Sequence, residues 1–349
     1  MKIAQIAPIV ERVPPLKYGG TERVVYEVTE QLIKMGHEVT LFASGNSITS
    51  AKLSSIYPRS LREARIDDLY GPNALSMLNI GSAYQMQDQF DIIHDHNGTI
   101  SLPTANISRT PVVMTYHGAF NPEIIKSYQT LKKPWIVSIS KAQVHGISGM
   151  NVIGNVYNGL SMEEYPFSDS HEGYLLFVGR ISLEKGVHYA IQTAIHLNLR
   201  LIIAAKLDGV DMPYFNQYVG PRLSEDIRWV GEVNEKERNE LMSKAMCFLH
   251  PVTWKEPFGL TLIESMACGC PVVAFKKGSI PEIIKSGKTG FVVSDIHGMI
   301  EAVKKIDSIK REDCRKHALD NFNAKIMAER YVKIYEKIIK KFNKSKSES

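Results

Sequence analysis

The chain has 349 residues, 44% of them hydrophobic, and its 42 basic and 37 acidic residues leave a net charge of +5. That length accommodates two domains with real cores, and so mild a basicity suits an anionic ligand while arguing against a nucleic-acid partner. No apolar run approaches the ~18 residues of a membrane span, and Pro8 and Glu11 interrupt the N-terminus too early for a signal peptide, so a cytoplasmic protein is expected.

Lys2–Ala7 reads as a first strand, followed by a Pro- and Gly-rich loop to Gly19-Gly20. Thr21 is the expected N-cap of an amphipathic helix with Val24, Val25, Val28, Leu32 and Ile33 on one face, and Gly36 ends it. The next strand is His37–Ala43. Strand, glycines and helix open a nucleotide-type fold, but without G-x-G-x-x-G no dinucleotide site is indicated. Gly20 can bring backbone close to a phosphate or sugar, and a plain tight turn explains the same spacing equally well. Arg59, Arg62 and Arg65 fall on one helical face, usually a solvated stripe and less often a contact with anionic lipid or substrate. Strands at Asp91–Asp95 and Pro111–Tyr116 run into Asp95-His96-Asn97 and His117-Gly118. Open α/β sheets bind ligands beyond such strand ends, so paired histidines there point to a site, although a lone one is usually structural. Ile136–Ser140 and Val152–Val156 are two further strands.

Asn158–Glu172 is polar and irregular and reads as a linker. Tyr174–Val178 restarts the alternation, and Arg180 and Lys185 then place two cations at a strand end, an arrangement suited to a diphosphate. Strands follow at Leu201–Ala205 and Ile227–Val230, the latter leading to Gly231-Glu232-Val233. Apolar runs 245–249 and 272–275 flank His250–Pro271, which reads as strand end, loop and short helix, with Gly269 and Pro271 as its stop. Glu256 precedes that helix and Glu264 lies within it, at most ~12 Å apart at 1.5 Å per residue. A glycosidase acid–nucleophile pair would need ~5 Å. Between them Phe258, Gly259, Leu260 and Thr261 form a helix N-terminus that favours an anion. Carboxylate, anion site and carboxylate match a sugar, a diphosphate and a ribose; a capping Glu and a solvated Glu would leave the same trace. Cys247, Cys268, Cys270 and Cys314 read as buried thiols, since Cys268-Gly-Cys270 lacks the second cluster a metal would require. Gly287-Lys-Thr imitates a phosphate loop, but Glu282 stands where its first glycine belongs. Ala324–Lys341 is a long helix, and residues 343–349 are expected to be disordered.

The stretch His250–Pro271 resembles the E-x7-E motif of the family 4 retaining glycosyltransferases, and Gly179-Arg180-x4-Lys185-Gly186 resembles that family's diphosphate clamp. The run Glu11–Glu22 is similar to one branch, which includes a tetrahydropterin glucosyltransferase and an avilamycin-type tailoring transferase. The resemblance implies a GT-B fold, an α/β architecture of two Rossmann-like doubly wound parallel-sheet domains facing across a cleft. It implies an acceptor-side domain over 1–159 with a crossover helix at 324–342, a nucleotide-sugar domain over 160–323, and a tail at 343–349. Asn158-Gly159 would mark the junction.

By the same resemblance, Glu264 would hold the ribose, Glu256 the donor sugar, and Val233 the base. Arg180 and Lys185 would hold the diphosphate, and His117-Gly118 would lie near the donor sugar. The implied reaction moves a hexose, glucose, with retention from a nucleotide diphosphate sugar, UDP-linked, to an acceptor hydroxyl on a small molecule, glycan or lipid. His117, Glu256, Arg180 and Lys185 are the expected catalytic set. Gly20, Val233, Phe258, Gly259, Leu260, Thr261 and Glu264 join Arg180, Lys185 and Glu256 in binding. No cofactor is expected, and no metal, since no D-x-D occurs in the chain. A nucleotide-sugar epimerase or hydrolase, or a nucleotide-sugar-binding protein without turnover, are the rival readings. Peripheral membrane contact is the one macromolecular association entertained.

Overall fold

A computed structural model describes residues 1–66 and 70–347, so the last two residues of the expected tail lie outside the described residues. The chain forms two compact units, Met1–Leu160 with Ala324–Ser349, and Ser161–Asn323.

The first unit is built on seven parallel strands: β1 (Lys2–Ile6), β2 (Glu38–Phe42), β3 (Lys52–Ser54), β4 (Ile92–Asp95), β5 (Val112–Thr115), β6 (Trp135–Ser138) and β7 (Val152–Asn155). Their order is β3-β2-β1-β4-β5-β6-β7, which reverses between β1 and β4. β4 and β5 are buried along their whole length, as expected of strands covered on both faces. The second unit has six parallel strands: β8 (Tyr174–Arg180), β9 (Arg200–Lys206), β10 (Ile227–Gly231), β11 (Cys247–His250), β12 (Val272–Phe275) and β13 (Gly290–Val293). Their order is β10-β9-β8-β11-β12-β13, reversing between β8 and β11. Such reversals open a crevice at the strand carboxyl ends, where doubly wound sheets bind ligands.

Several local expectations need correction. The first helix spans Gly20–Lys34 with Gly19 as its N-cap, so Thr21 lies inside the first turn. Gly19 has φ 151°, and a Cβ there would lie 2.6 Å from Pro15 Cβ; the close Pro–Gly packing, and not a hydroxyl cap, sets the helix start. The three arginines do not share a helical face. Only Leu61–Ala64 is helical, Arg65 sits left-handed at φ 47°, and Arg62 turns to an ion pair with Glu11 and to the Tyr18 ring. Strands β3 and β13, which the sequence did not announce, close the two sheet edges. The C-terminal helix runs Ala324–Ser347, past the expected start of disorder at 343. No Gly or Pro interrupts it, and the Ser345 and Ser347 hydroxyls donate to the carbonyls of Phe342 and Lys344, both at 2.8 Å. All four cysteines are free and buried.

Candidate active site

The second unit gathers its chemistry where β8 and β11 end side by side. Two contacts join the turn after β8 to the loop after β11. Thr253 N donates to Glu184 O at 2.9 Å. Gly186, at φ 70°, lies so close that a Cβ would stand 2.1 Å from Pro251 O, which only glycine tolerates. A third close approach fixes Glu256: Ser279 N donates to its carbonyl at 2.9 Å, and a Cβ on Gly278 would meet that oxygen at 2.2 Å.

Lys185 Nζ consequently lies 2.9 Å from Glu256 Oε2 in a pair whose side chains are 21% and 8% exposed. Trp254 Nε1 donates to the same oxygen at 3.0 Å, and the Lys185 ammonium stands 4.7 Å from the Trp254 ring centre. His250, at the end of β11, has Nε2 3.6 Å from that oxygen. Burial raises the Glu256 pKa, but the Lys185 ammonium and the His250 contact outweigh it and bring the carboxyl down to about 2. Burial in turn lowers the pKa of His250. Arg180 belongs to a neighbouring cluster: it pairs with Glu184 and lies 3.7 Å from Asp211 Oδ2. Both expected clamp cations are thus held by acidic groups.

The helix Leu260–Ala267 starts from Gly259 at φ 88° without a side-chain cap, leaving its first N–H groups to meet an anion. Phe258 is buried, its carbonyl accepting from Ser279 Oγ at 2.9 Å, and Leu260 and Thr261 are half-buried in the opening turn. Glu264 is also buried, and Arg238 Nη2 donates to its Oε1 at 2.7 Å. Val233 follows Gly231, whose φ of 79° and ladder irregularity turn the chain out of β10 towards the capped helix Glu235–Lys244. Trp254, Asp211 and Arg238 escaped the sequence reading. Trp254 stands inside the quoted motif, two residues before Glu256, but the other two come from distant segments with no local signal.

Three of the first unit's histidines, His94, His96 and His117, lie at the ends of β4 and β5. His117 Nε2 is 3.0 Å from His96 Nδ1, and His96 Nε2 is 2.9 Å from Gln5 Oε1. Gln5 Nε2 donates to Tyr335 Oη at 3.3 Å, and Tyr335 Oη meets His94 Nδ1 at 2.6 Å. With the Gln5 amide so oriented, a neutral His96 carries its proton on Nε2, so its bare Nδ1 accepts from His117 Nε2–H. That leaves the His117 Nδ1 lone pair uncommitted by this chain of bonds. Burial lowers His117 to about 4 and takes His94 and His96 well below the ordinary imidazole value. Gln143 Nε2 donates to the carbonyls of Tyr116 and Gly118 at 2.7 and 2.8 Å, holding the His117 backbone between them. Gly20 opens the first helix and is exposed. Among the described residues no three His, Cys, Asp or Glu side chains converge as a metal site.

Residues 18–149 match the family model described as Glycosyltransferase Family 4, and residues 163–325 match Glycosyl transferases group 1. Spore coat protein SA of Bacillus subtilis is 25% identical, covering 97% of this chain and 100% of its own. N-acetyl-alpha-D-glucosaminyl L-malate synthase of Bacillus anthracis is 24% identical over 92% and 95% of the two chains. Among solved structures, AviGT4, a glycosyltransferase involved in avilamycin A biosynthesis, superposes with TM-score 0.74 at 23% identity over 97% of this chain and 98% of its own. Anabaena Alr3699/HepE, solved with UDP and glucose, superposes with TM-score 0.74 at 17% identity over 97% and 100%.

Proposed function

The chain belongs to the family 4 glycosyltransferases of GT-B fold, and from that premise we propose that it moves a hexose, glucose, with retention from a UDP-sugar to an acceptor hydroxyl without a metal. The observation that carries this reading is the Lys185–Glu256 pair at 2.9 Å beside the uncapped start of helix Leu260–Ala267. Nucleotide-sugar binding also accords with the UDP-glucose complex of Anabaena Alr3699/HepE, whose fold this chain shares.

In this reading the diphosphate competes with Glu256 for Lys185 and with Glu184 and Asp211 for Arg180. As the bond from the anomeric carbon to the diphosphate oxygen breaks, its electron pair leaves with the nucleoside diphosphate. Arg180, Lys185 and the helix N–H groups then take up the developing charge. The acceptor oxygen bonds to the anomeric carbon from the same face, and its proton passes to the departing phosphate oxygen. Glu256, released by Lys185, binds donor-sugar hydroxyls; Glu264, with Arg238 on one oxygen, accepts from the ribose; Val233 lies against the base. His117 orients the sugar by accepting a hydroxyl at Nδ1. Cation-based charge neutralisation removes the need for a metal.

The test is a panel of UDP-, GDP- and ADP-sugars, measuring binding and nucleotide release with and without EDTA. UDP-glucose bound best and turned over in EDTA is the expected result. Activity abolished by EDTA and restored by magnesium or manganese would overturn metal independence, and a preference for another nucleotide would overturn the donor.

A further inference from the structure

Glu256 Oε2 is approached by three groups of unequal kind. Lys185 Nζ at 2.9 Å is a cation, and Trp254 Nε1 at 3.0 Å is a neutral donor. His250 Nε2 stands just out of hydrogen-bond reach at 3.6 Å, and among the described residues it has no hydrogen-bond partner. The His250 side chain is 5% exposed, at the end of β11 and opposite the uncharged Ala274 of β12. The charged groups that act on it are Glu256, from the loop after its own strand, and Lys185, from the turn after β8. In the free protein, burial and the Lys185 ammonium outweigh the pull of Glu256 and keep the imidazole below its ordinary value. It is therefore neutral at pH 7, and Lys185 alone balances Glu256.

That balance is upset in the reaction proposed above, on which this inference rests, because the donor diphosphate competes for both Lys185 and Arg180. The acidic partners left behind are not alike. Glu184, the nearer partner of Arg180, is 35% exposed and falls back on water. Glu256 is 8% exposed and has no such recourse. A buried carboxylate stripped of its cation is strongly unfavourable. The Trp254 N–H brings it no charge, and neither do the hydroxyls of a donor sugar.

We propose that His250 is a positioning residue for Glu256: when the diphosphate draws Lys185 away, the imidazole takes up a proton and becomes the carboxylate's new cation. The proton comes from solvent, both ring nitrogens then carry hydrogen, and Nε2–H donates to Glu256 Oε2 after a small tilt of the ring. Donor binding neutralises the opposing Lys185 charge and leaves Glu256 unshared, so bound His250 holds its proton to a higher pH than free His250. Donor affinity is consequently highest in acid and falls as pH rises through the window between the two titrations. Glu256 stays anionic and fixed in place for the sugar hydroxyls throughout.

The experiment is calorimetric titration of the full chain with UDP-glucose, without acceptor, at pH 7 in PIPES, MOPS and imidazole buffers. Their differing ionisation enthalpies report the protons exchanged on binding, and the diphosphate of UDP-glucose does not itself titrate near neutrality. The expected result is uptake of roughly half a proton or more, with affinity weakening about five- to tenfold from pH 6 to pH 8. His250→Gln, uncharged but still able to donate an N–H, should keep the melting temperature and bind UDP-glucose without that uptake or that pH dependence. His250→Asn should do the same. Wild-type binding with an enthalpy independent of buffer would overturn the proposal, because Lys185 would then grip Glu256 and the diphosphate together. Uptake that persists in either variant would also overturn it, since the proton would then reside on another group. Failure of UDP-, GDP- and ADP-glucose alike to bind the wild type is the separate failure of the donor reading, and it removes this role of His250 as well.

Discussion

Lys185 and Glu256 form a buried ion pair of the fold and are also proposed donor contacts, and the two roles separate by measurement. A buried ion pair broken from one side strands a charge, at a cost of ~3–5 kcal/mol, whereas removing both partners is far milder. Lys185→Met should therefore destabilise the second unit more than Lys185→Met combined with Glu256→Gln, in urea titrations of the singles and the double. Additive effects would mean that the pair does not interact. The depressed Glu256 pKa of about 2 against an ordinary 4.5 gives the sign of its pH dependence. Its stabilisation, of order 3 kcal/mol, is complete above pH ~4.5 and lost as pH falls towards ~2. Trp254 touches both members, so Trp254→Leu should weaken UDP binding while Trp254→Phe, which keeps a ring under the ammonium, should weaken it less. Equal affinities would dismiss the ring contact. Glu22 behaves oppositely. Burial, together with the nearby Glu11 carboxylate, outweighs hydrogen bonds from the backbone and raises it to about 7. Its ionised form burdens the folded state above pH ~7, while below ~4.5 the group is protonated whether folded or unfolded. Glu22→Gln should consequently raise stability at pH 8 by up to ~3 kcal/mol and change little at pH 4. A stabilisation that does not vary with pH would refute the raised pKa.

At the scale of elements, the parallel pairing of β4 with β5 brings His96 and His117 to neighbouring strand ends, and Tyr335 of the C-terminal helix ties them in through Gln5 and His94. This arrangement predicts a split between activity and stability. His117 stands at the half-buried end of the hydrogen-bonded chain, so His117→Ala should lower kcat ~100-fold or more with little change in melting temperature. Tyr335→Phe removes the partner of His94 Nδ1 and of Gln5 Nε2 and should cost ~1–3 kcal/mol, with a modest effect on turnover. Near-wild-type turnover in His117→Ala would take it out of the site. These histidines also show what the sequence could reveal: two strands running into polar ends disclosed the position of the pair, because strand period and termination are local properties. Their wiring was hidden, because Gln5 and Tyr335 lie 330 residues apart in sequence. The same division separates Arg180, Lys185, Glu256 and Glu264, carried by short motifs, from Asp211 and Arg238, which only folding brings alongside. Where short-range cues failed, packing overrode them. The three-arginine face dissolved because Arg62 found Glu11, and β13 was masked by its turn, with Gly290 required because a Cβ would lie 1.9 Å from Val272 O.

Over the whole molecule, the chain visits the first unit twice, and the second visit is a single helix. That helix buries Ala324, Met327, Ala328, Tyr331, Tyr335 and Ile338. Its two tyrosines bond Thr115, His94 and Gln5 across the sheet they cover. Removing a buried large aromatic costs ~3–5 kcal/mol, and a domain's whole stability is only ~5–15 kcal/mol. Ending the chain at Asn323 should therefore unfold the first unit. The second unit keeps its six strands, its own core and every proposed contact with the nucleoside diphosphate within Ser161–Asn323. The truncated chain should thus lose the residue 1–160 region rapidly to a protease, while a fragment beginning near residue 161 survives and binds UDP. Calorimetric titration with UDP alongside mass spectrometry of the surviving fragment reads both outcomes. Protection of the first unit after truncation would show that the helix is dispensable to its core. Loss of UDP binding in an intact surviving fragment would show that the second unit does not carry the donor nucleotide by itself.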